Sequence, residues 1–288
     1  MKGMVNIMKL SFTKMHGCGN DYVYINGEEY NITNKKDLAI RLSDRHFGIG
    51  GDGIIFINPS TRADFEMEMY NADGSRAEMC GNGIRSVAKY VYDKKMTSKK
   101  ELKIESAGSI KTTWLTTEND KVKAVKVNMG SPIFKPEQIP VLLDQTKVAI
   151  QEELIEADGK KYRFTAVSMG NPHAVIQVDD PMEIEIDKIG PLMEHHPYFP
   201  KRINTEFIKV VDRENITMRV GERGSGETLA CGTGACAVAA ACILNGLTEN
   251  KVTVKLLGGS LVIEWDREQD QIFMTGPAET VFEGTIEI

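Results

Sequence analysis

The chain has 288 residues, a formal net charge of −6 and five cysteines. That length supports one large or two medium domains with ample core, and the acidic balance offers no basic footprint for nucleic acid. An odd cysteine count without disulfide-framework density points to a reducing cytoplasm. Met1 to Phe12 holds no apolar signal core, so no leader is expected; Met8 is an alternative start, because patterned sequence begins near Lys9. The longest apolar run, Ala235 to Leu244, is too short to span a bilayer.

In chain order, Leu10 to Met15 and Tyr22 to Asn26 read as strands around the turn His16-Gly17-Cys18-Gly19-Asn20. Lys35 to Asp44 reads as a helix. A glycine-rich loop, Gly48 to Gly53, leads into a strand over Ile54 to Asn58. Phe65 to Asn71 alternates like a half-buried strand, and Asn71-Ala72-Asp73-Gly74 is a turn. The next helix, Gly81 to Asp93, carries Ile84, Val87, Ala88 and Val91 on one face. Short β-rich runs fill Leu102 to Met129, and Gly130-Ser131-Pro132 marks the crossing into a second half.

That half repeats the plan. Strands run to Val178, a helix is predicted near Met182 to Met193, and strands follow at Glu206 to Val211 and Thr217 to Val220. The loop Glu222-Arg223-Gly224-Ser225-Gly226 precedes a helix from Gly232 to about Asn245, with Ala235, Val238, Ala239 and Cys242 on one face. Strands are predicted at Val252 to Leu257, Ser260 to Trp265 and Gln271 to Thr275, the last broken by Gly276-Pro277. The final strand, Glu279 to Ile286, has no counterpart in the repeat and is available to return to the first half.

A shift of 151 residues carries Cys80-Gly81-Asn82-Gly83 onto Cys231-Gly232-Thr233-Gly234, Gly19-Asn20 onto Gly170-Asn171, and Phe56-Ile57 onto Phe207-Ile208. Three separated segments in one register indicate an internal duplication. It divides the chain into a lobe of residues 1–131 plus 277–288 carrying Cys80 and a lobe of 132–276 carrying Cys231.

A cysteine at a helix mouth lies against the first amides and the positive end of the helix dipole, which favours thiolate. Glycines beside it let the backbone approach a carboxylate. Two such cradles facing each other would suit removal of a proton from one face of a carbon while the other face is protonated. Inversion alpha to a carboxylate is a reaction of that kind, with one thiolate as base and one thiol as acid. Lone cysteines are usually small buried hydrophobes, and Cys18, Cys236 and Cys242 read that way. Redox chemistry would prefer a Cys-x-x-Cys pair, which this sequence lacks.

Other motifs carry less. Gly48-x-Gly50-x-x-Gly53 precedes a strand instead of opening a helix, and Gly232-x-Gly234-x-x-Ala237 lacks the acidic residue a dinucleotide site needs. Glu222-Arg223 is either a solvated pair or a receptor for a zwitterion, with glutamate for ammonium and arginine for carboxylate. Asn20, Asn71, Asn171 and Asn204 lie within or beside turns, where asparagine is common for backbone reasons; Asn20 and Asn171 gain weight as repeat mates. His173 could tune a thiol, although an isolated histidine is more often structural. His195-His196 lacks partners at metal-ligand spacing, and no metal site is expected.

Together, Met15-His16-Gly17-Cys18-Gly19-Asn20-Asp21, Asn71-Ala72-Asp73-Gly74-Ser75, Cys80-Gly81-Asn82-Gly83, Gly170-Asn171-Pro172-His173 and Glu222-Arg223-Gly224 through Ala230-Cys231-Gly232-Thr233-Gly234 resemble the diaminopimelate epimerase family, over nearly the whole chain from Lys9. The resemblance implies an α/β (α+β) fold of two pseudo-symmetric domains, each a barrel-like, mostly antiparallel sheet around a central helix. It implies an isomerase without cofactor that interconverts LL- and meso-2,6-diaminopimelate for lysine and peptidoglycan precursors, cytoplasmic and usually homodimeric. Cys80 and Cys231 would take the acid and base roles. Gly81, Asn82, Gly232 and Thr233 would hold the reacting carboxylate, and Asn20, Asn71, Asn171, Asn204, Glu222 and Arg223 the rest of the substrate. His173 and Glu222 would modulate the thiols, and Phe282 would serve the dimer.

Two positions depart from the family pattern: Gly53, where some members carry a glutamine contact, and Cys18, where leucine is frequent. The alternatives are another cofactor-independent amino-acid racemase of the superfamily and a catalytically inactive binding relative. Asn82, where proline-racemase-like chains carry histidine, argues against the nearest racemase branch. The presence of both cysteines argues against the inactive relative.

Overall fold

The computed structural model describes residues 8–76 and 80–288. The leader and start-site expectations bear on residues 1–7, outside the described residues. Two compact units emerge, one reaching Val125 and including Pro277–Ile288, the other Lys126–Gly276.

In unit 1, β1 (Lys9–Gly17) and β2 (Asn20–Asn26) form a hairpin closed by Cys18-Gly19. Both turn residues have positive φ, 53° and 84°, the primed-turn geometry that matches strand twist. Asn34 caps α1 (Lys35–Ser43) by accepting from the Asp37 amide. Next, β3 (Gly53–Asn58) runs parallel to β2, with Tyr22 opposite Gly53, and β4 (Phe65–Asn71) folds back on β3. Beyond α2 (Gly81–Asp93), β5 (Glu101–Ser106) lies parallel to β4, and β6 (Ser109–Glu118) antiparallel to β5. The strand β7 (Lys121–Gly130) carries the division between the units.

Unit 2 reproduces the ladder. A first pair, β8 (Glu153–Ala157) and β9 (Lys160–Ser168), is antiparallel, and β10 (Pro172–Gln177) is antiparallel to β9. The segment predicted as one helix near Met182 breaks into a short 3-10 turn at Pro181–Glu183 and α3 (Ile186–Glu194). Then β11 (Asn204–Asp212) lies parallel to β10 with Asn204 opposite His173, and β12 (Asn215–Glu222) is antiparallel to β11. The 222–226 loop proves to be a hairpin turn, since β13 (Gly226–Thr228) pairs back on β12 with Gly226 opposite Glu222. Past α4 (Gly232–Leu244) come β14 (Lys251–Leu256) parallel to β12, β15 (Gly259–Asp266) and β16 (Gln271–Gly276). Finally β17 (Glu279–Glu287) pairs antiparallel with β1. It therefore gives unit 1 the edge that β8 gives unit 2, a spatial counterpart that the sequence repeat conceals.

Each unit wraps a helix. In α4 no residue from Ala235 to Cys242 exceeds 1 % exposure, so the expected one-sided stripe understates its burial. An alanine-rich helix is slim enough for strands to enclose on all sides. In α2 the apolar stripe Ile84, Val87, Ala88 and Val91 is fully buried, and so are Arg85 and Ser86. Lys89 is buried as well, donating to Asp93 and to the Val122 carbonyl, each at 2.8 Å. A buried cation persists because it is paired in this way.

Gly53 is fixed by space. A Cβ there would stand 2.1 Å from the Tyr70 carbonyl oxygen on the neighbouring strand. Gly53→Ala is expected to destabilise the protein by about 1–3 kcal/mol, read as a lower urea midpoint at unchanged slope.

Candidate active site

The same device opens both central helices. Cys80 and Cys231 occupy the N-cap positions of α2 and α4 with extended backbone (φ −128°, ψ 110° and φ −119°, ψ 111°). Each sulfur accepts from the third helical amide, Gly83 at 3.2 Å and Gly234 at 3.4 Å. A side chain at the third residue would crowd its neighbours. At Gly83 a Cβ would meet the Ile55 side chain at 2.9 Å, and at Gly234 the Glu206 carboxylate at 2.7 Å. With the cap amide engaged by sulfur, the first amides, at Gly81 and Asn82 or Gly232 and Thr233, fall among the four that a helix leaves without an internal acceptor. That is a carboxylate-sized donor set with the helix dipole behind it.

In unit 1, Asn20 is the hub. Its Oδ1 receives the Cys80 thiol at 3.3 Å and Asn82 Nδ2 at 3.4 Å. Its Nδ2 donates to Asp52 at 2.7 Å, which orients the amide. Arg45 secures Asp52 at 2.9 Å and grips Asp21 through both terminal nitrogens, and Lys14 pairs with Asp21 at 2.6 Å. Burial would raise the Asp21 carboxyl, but the bonds from Arg45 and Lys14 outweigh it and hold it below the usual range. Fully buried Arg85 donates to Asn82 Oδ1 at 2.8 Å and to the Gly81 and Pro277 carbonyls at 3.1 Å. It thereby fixes the residues that follow the cysteine. Asn71 stands apart from the hub, bonded to Ser75 Oγ at 3.0 Å.

In unit 2 the groups differ. Thr233 Oγ1 lies 3.5 Å from Cys231 Sγ and accepts from Asn171 Nδ2 at 3.2 Å. Asn171 Oδ1 faces His173 Nε2 at 3.0 Å, and His173 Nδ1 meets Glu206 Oε1 at 2.6 Å. His173 and Glu206 are wholly buried. Asn204 is buried at the start of β11, just after the turn at residues 200–201. It accepts from the Arg223 amide at 2.9 Å and donates to the Pro172 carbonyl at 3.0 Å, fastening the 222–226 hairpin. Glu222 accepts from Thr228 at 2.5 Å. Exposed Arg223 donates to the Lys201 carbonyl at 3.1 Å. Phe282, on the outer strand β17, is 46 % exposed and stacks edge-on with Phe12 at 5.8 Å.

Sequence reasoning passed over Asp52, Arg45, Arg85 and Glu206. Glu206 left a mark in the repeat, because a shift of 151 places it on Ile55; the same shift places Asp52 on Ile203 and Arg85 on Cys236. Cys18, in the positive-φ turn, is buried and its thiol is raised by burial, with Arg85 acting against this. Cys242 is likewise pushed up, to about 12, by burial with a contribution from Glu152. Both fit the packing role read from the sequence. Among the described residues no group of His, Cys, Asp and Glu could hold a metal ion, and no helix is long and apolar enough to cross a membrane.

Burial raises the Cys231 thiol well above its ordinary value, and the Glu222 and Glu206 charges add to this against bonds from Thr233 and Gly234. In the unliganded protein the Cys231 thiolate should therefore form only above the usual thiol range. The measurement is the difference in ultraviolet thiolate absorbance between the protein and Cys231→Ala. Removing a negative neighbour makes thiolate formation easier, so Glu222→Gln should move that midpoint to lower pH.

The family model described as diaminopimelate epimerase matches residues 12–135 and 165–281. A diaminopimelate epimerase of Acetivibrio thermocellus is 56% identical, covering 97% of this chain and 99% of its own. One from Methanococcus maripaludis is 55% identical, over 97% and 100%. Among solved structures, a hydroxyproline epimerase from Agrobacterium vitis superposes with a TM-score of 0.68 at 13% identity, covering 98% of this chain and 92% of its own. A PhzF-family phenazine biosynthesis protein of Bacillus anthracis gives 0.67 at 15%, over 98% and 100%. At such identities these two share the fold.

Proposed function

Because the chain belongs to the diaminopimelate epimerase family, we propose that Cys80 and Cys231 are the acid–base pair with which this isomerase interconverts LL- and meso-2,6-diaminopimelate. The observation that supports the assignment is the twofold recurrence of a sulfur-capped helix N-terminus, each followed by a glycine at the third helical position. One thiolate takes the α-proton and becomes a thiol. The opposite thiol gives its proton to the other face of the same carbon and becomes the thiolate, leaving the substrate inverted and the enzyme ready for the reverse turn.

The first amides of α2 and α4, at Gly81, Asn82, Gly232 and Thr233, stabilise the α-carboxylate as it gains charge in the carbanion-like transition state. Asn20, Asn71, Asn171, Asn204, Glu222 and Arg223 hold the remaining groups, chiefly the distal amino-acid end. The Arg223 guanidinium suits a carboxylate and Glu222 an ammonium. His173 and Glu222 modulate the thiols. The two lobes are residues 1–131 plus 277–288 and 132–276. The enzyme works in the cytoplasm without a cofactor, as a homodimer to which exposed Phe282 contributes.

Cys80→Ala and Cys231→Ala should each lower kcat by about a thousandfold or more while circular dichroism stays native. Near wild-type turnover of LL-diaminopimelate by either variant, in an assay without pyridoxal phosphate, would remove the two-thiol assignment. Turnover in deuterium oxide should place deuterium at the inverted α-carbon. Phe282→Asp should shift the molecular mass measured by light scattering from dimer toward monomer.

A further inference from the structure

Glu206 is a buried carboxylate that the epimerase reading leaves without a task. Its Oε1 meets His173 Nδ1 at 2.6 Å, and its Oε2 has no hydrogen-bond partner. A carboxylate taken wholly out of water and half satisfied is costly, and replacing both partners of such a buried pair by apolar groups is commonly neutral or stabilising, whereas removing one leaves the other unpaired. Unit 1 contains that replacement. The shift of 151 residues pairs Glu206 with Ile55 and His173 with Tyr22. Ile55 Cδ1 stands against Gly83 where Glu206 Oε1 stands against Gly234, with Met67 and Met218 as the matching neighbours. The scaffold thus accepts an isoleucine at this place where the histidine is replaced as well, and stability alone does not account for the pair.

What sets unit 2 apart is a polar chain that ends on a wholly buried histidine–carboxylate pair. Glu206 to His173 is 2.6 Å, His173 to Asn171 is 3.0 Å, Asn171 to Thr233 is 3.2 Å and Thr233 to Cys231 is 3.5 Å. Asn171 Nδ2 donates to Thr233, so its Oδ1 is left to accept from His173 Nε2. That nitrogen then bears a hydrogen, and one further proton is shared between Nδ1 and Glu206. The carboxylate sets both the ring orientation and the proton arrangement of His173, and the chain passes that constraint to the hydroxyl beside the sulfur.

We propose that Glu206 is a positioning residue that acts through His173, Asn171 and Thr233 to hold Cys231 in its reacting geometry. The proposal rests on the epimerase reading only for Cys231 being a reacting group. Two features separate this role from a structural one. Loss of the Glu206–His173 pair should cost turnover without costing stability, and the effect of Glu206 on turnover should vanish once His173 is gone.

Glu206→Ile, His173→Phe and the double variant test it. Glu206→Ile, which leaves the buried imidazole unpaired, should lower the thermal midpoint and lower kcat by about a hundredfold, with KM changed by less than about twofold. The double variant should be no slower than His173→Phe alone and should regain a thermal midpoint at or above wild type. In the ligand-free protein, the short Nδ1–H bond should give a strongly downfield imidazole proton resonance, identified by its absence in His173→Phe and absent also in Glu206→Ile. Persistence of that resonance in Glu206→Ile, wild-type turnover, or losses that multiply in the double variant would each overturn the proposal.

Should Glu206→Ile fail to fold, Glu206→Gln keeps the volume and replaces the charge-assisted bond with a neutral one. Its resonance should move upfield and its kcat fall; an unmoved resonance would overturn the proposal equally. The spectrum needs no substrate, so its outcome is independent of the two-cysteine assignment, which fails or stands on the cysteine variants.

Discussion

A hydrogen bond from a third-position glycine amide to a cysteine sulfur begins each central helix and turns the sulfur against its first turn. It occurs at Gly83 and again at Gly234. Sulfur is a weaker acceptor than the oxygen of serine or aspartate, the usual N-caps, so these helices begin on a residue that caps poorly but reacts well. Packing offsets that weakness. Residues of both helices are enclosed by strands, and the glycines let Ile55 and Glu206 close against the first turn. The cysteines are thus held by the core behind them more than by their own cap.

Within that common frame the two units surround their cysteines differently. The Cys80 thiol meets an asparagine carbonyl oxygen whose orientation is set by Asp52 and, behind it, Arg45. Beside Cys231 stand a threonine hydroxyl and the buried histidine–carboxylate pair. A duplicated scaffold can supply equivalent positions for two groups that take opposite roles in one step, and the neighbours can then diverge without moving the helices. Sheet registers show how strictly position is retained: Tyr22 faces Gly53 and His173 faces Asn204 in parallel pairs one repeat apart.

The helices and strands were legible wherever pattern and period agree. The helix over Gly81–Asp93 and the strand over Phe65–Asn71 have the bounds that their spacing predicts. Enclosure of the helices was not legible, because a stripe of apolar residues reports one buried face and says nothing of Arg85, whose guanidinium is met by the Pro277 carbonyl from a distant segment as well as by Gly81 and Asn82 of its own helix. The cysteines and their glycines were visible because helix-mouth chemistry is local. Asp52 and Arg45 were hidden because their value lies in bonds across the fold, and a loop carboxylate looks the same whether it orients an asparagine or faces water. Glu206 was readable in principle, as a strand acid whose repeat mate is Ile55, yet that signal appears only when the halves are aligned residue by residue.

The pairing of β17 with β1 bears on how the protein is made. Strands β8 and β9, adjacent in sequence, give unit 2 its edge as soon as they are synthesised. Unit 1 must wait, because its matching edge is translated only after all of unit 2. On a ribosome the later half can therefore complete its sheet first, while β1 of the earlier half keeps an open row of amides and carbonyls. The second lobe to be translated is then the first to mature.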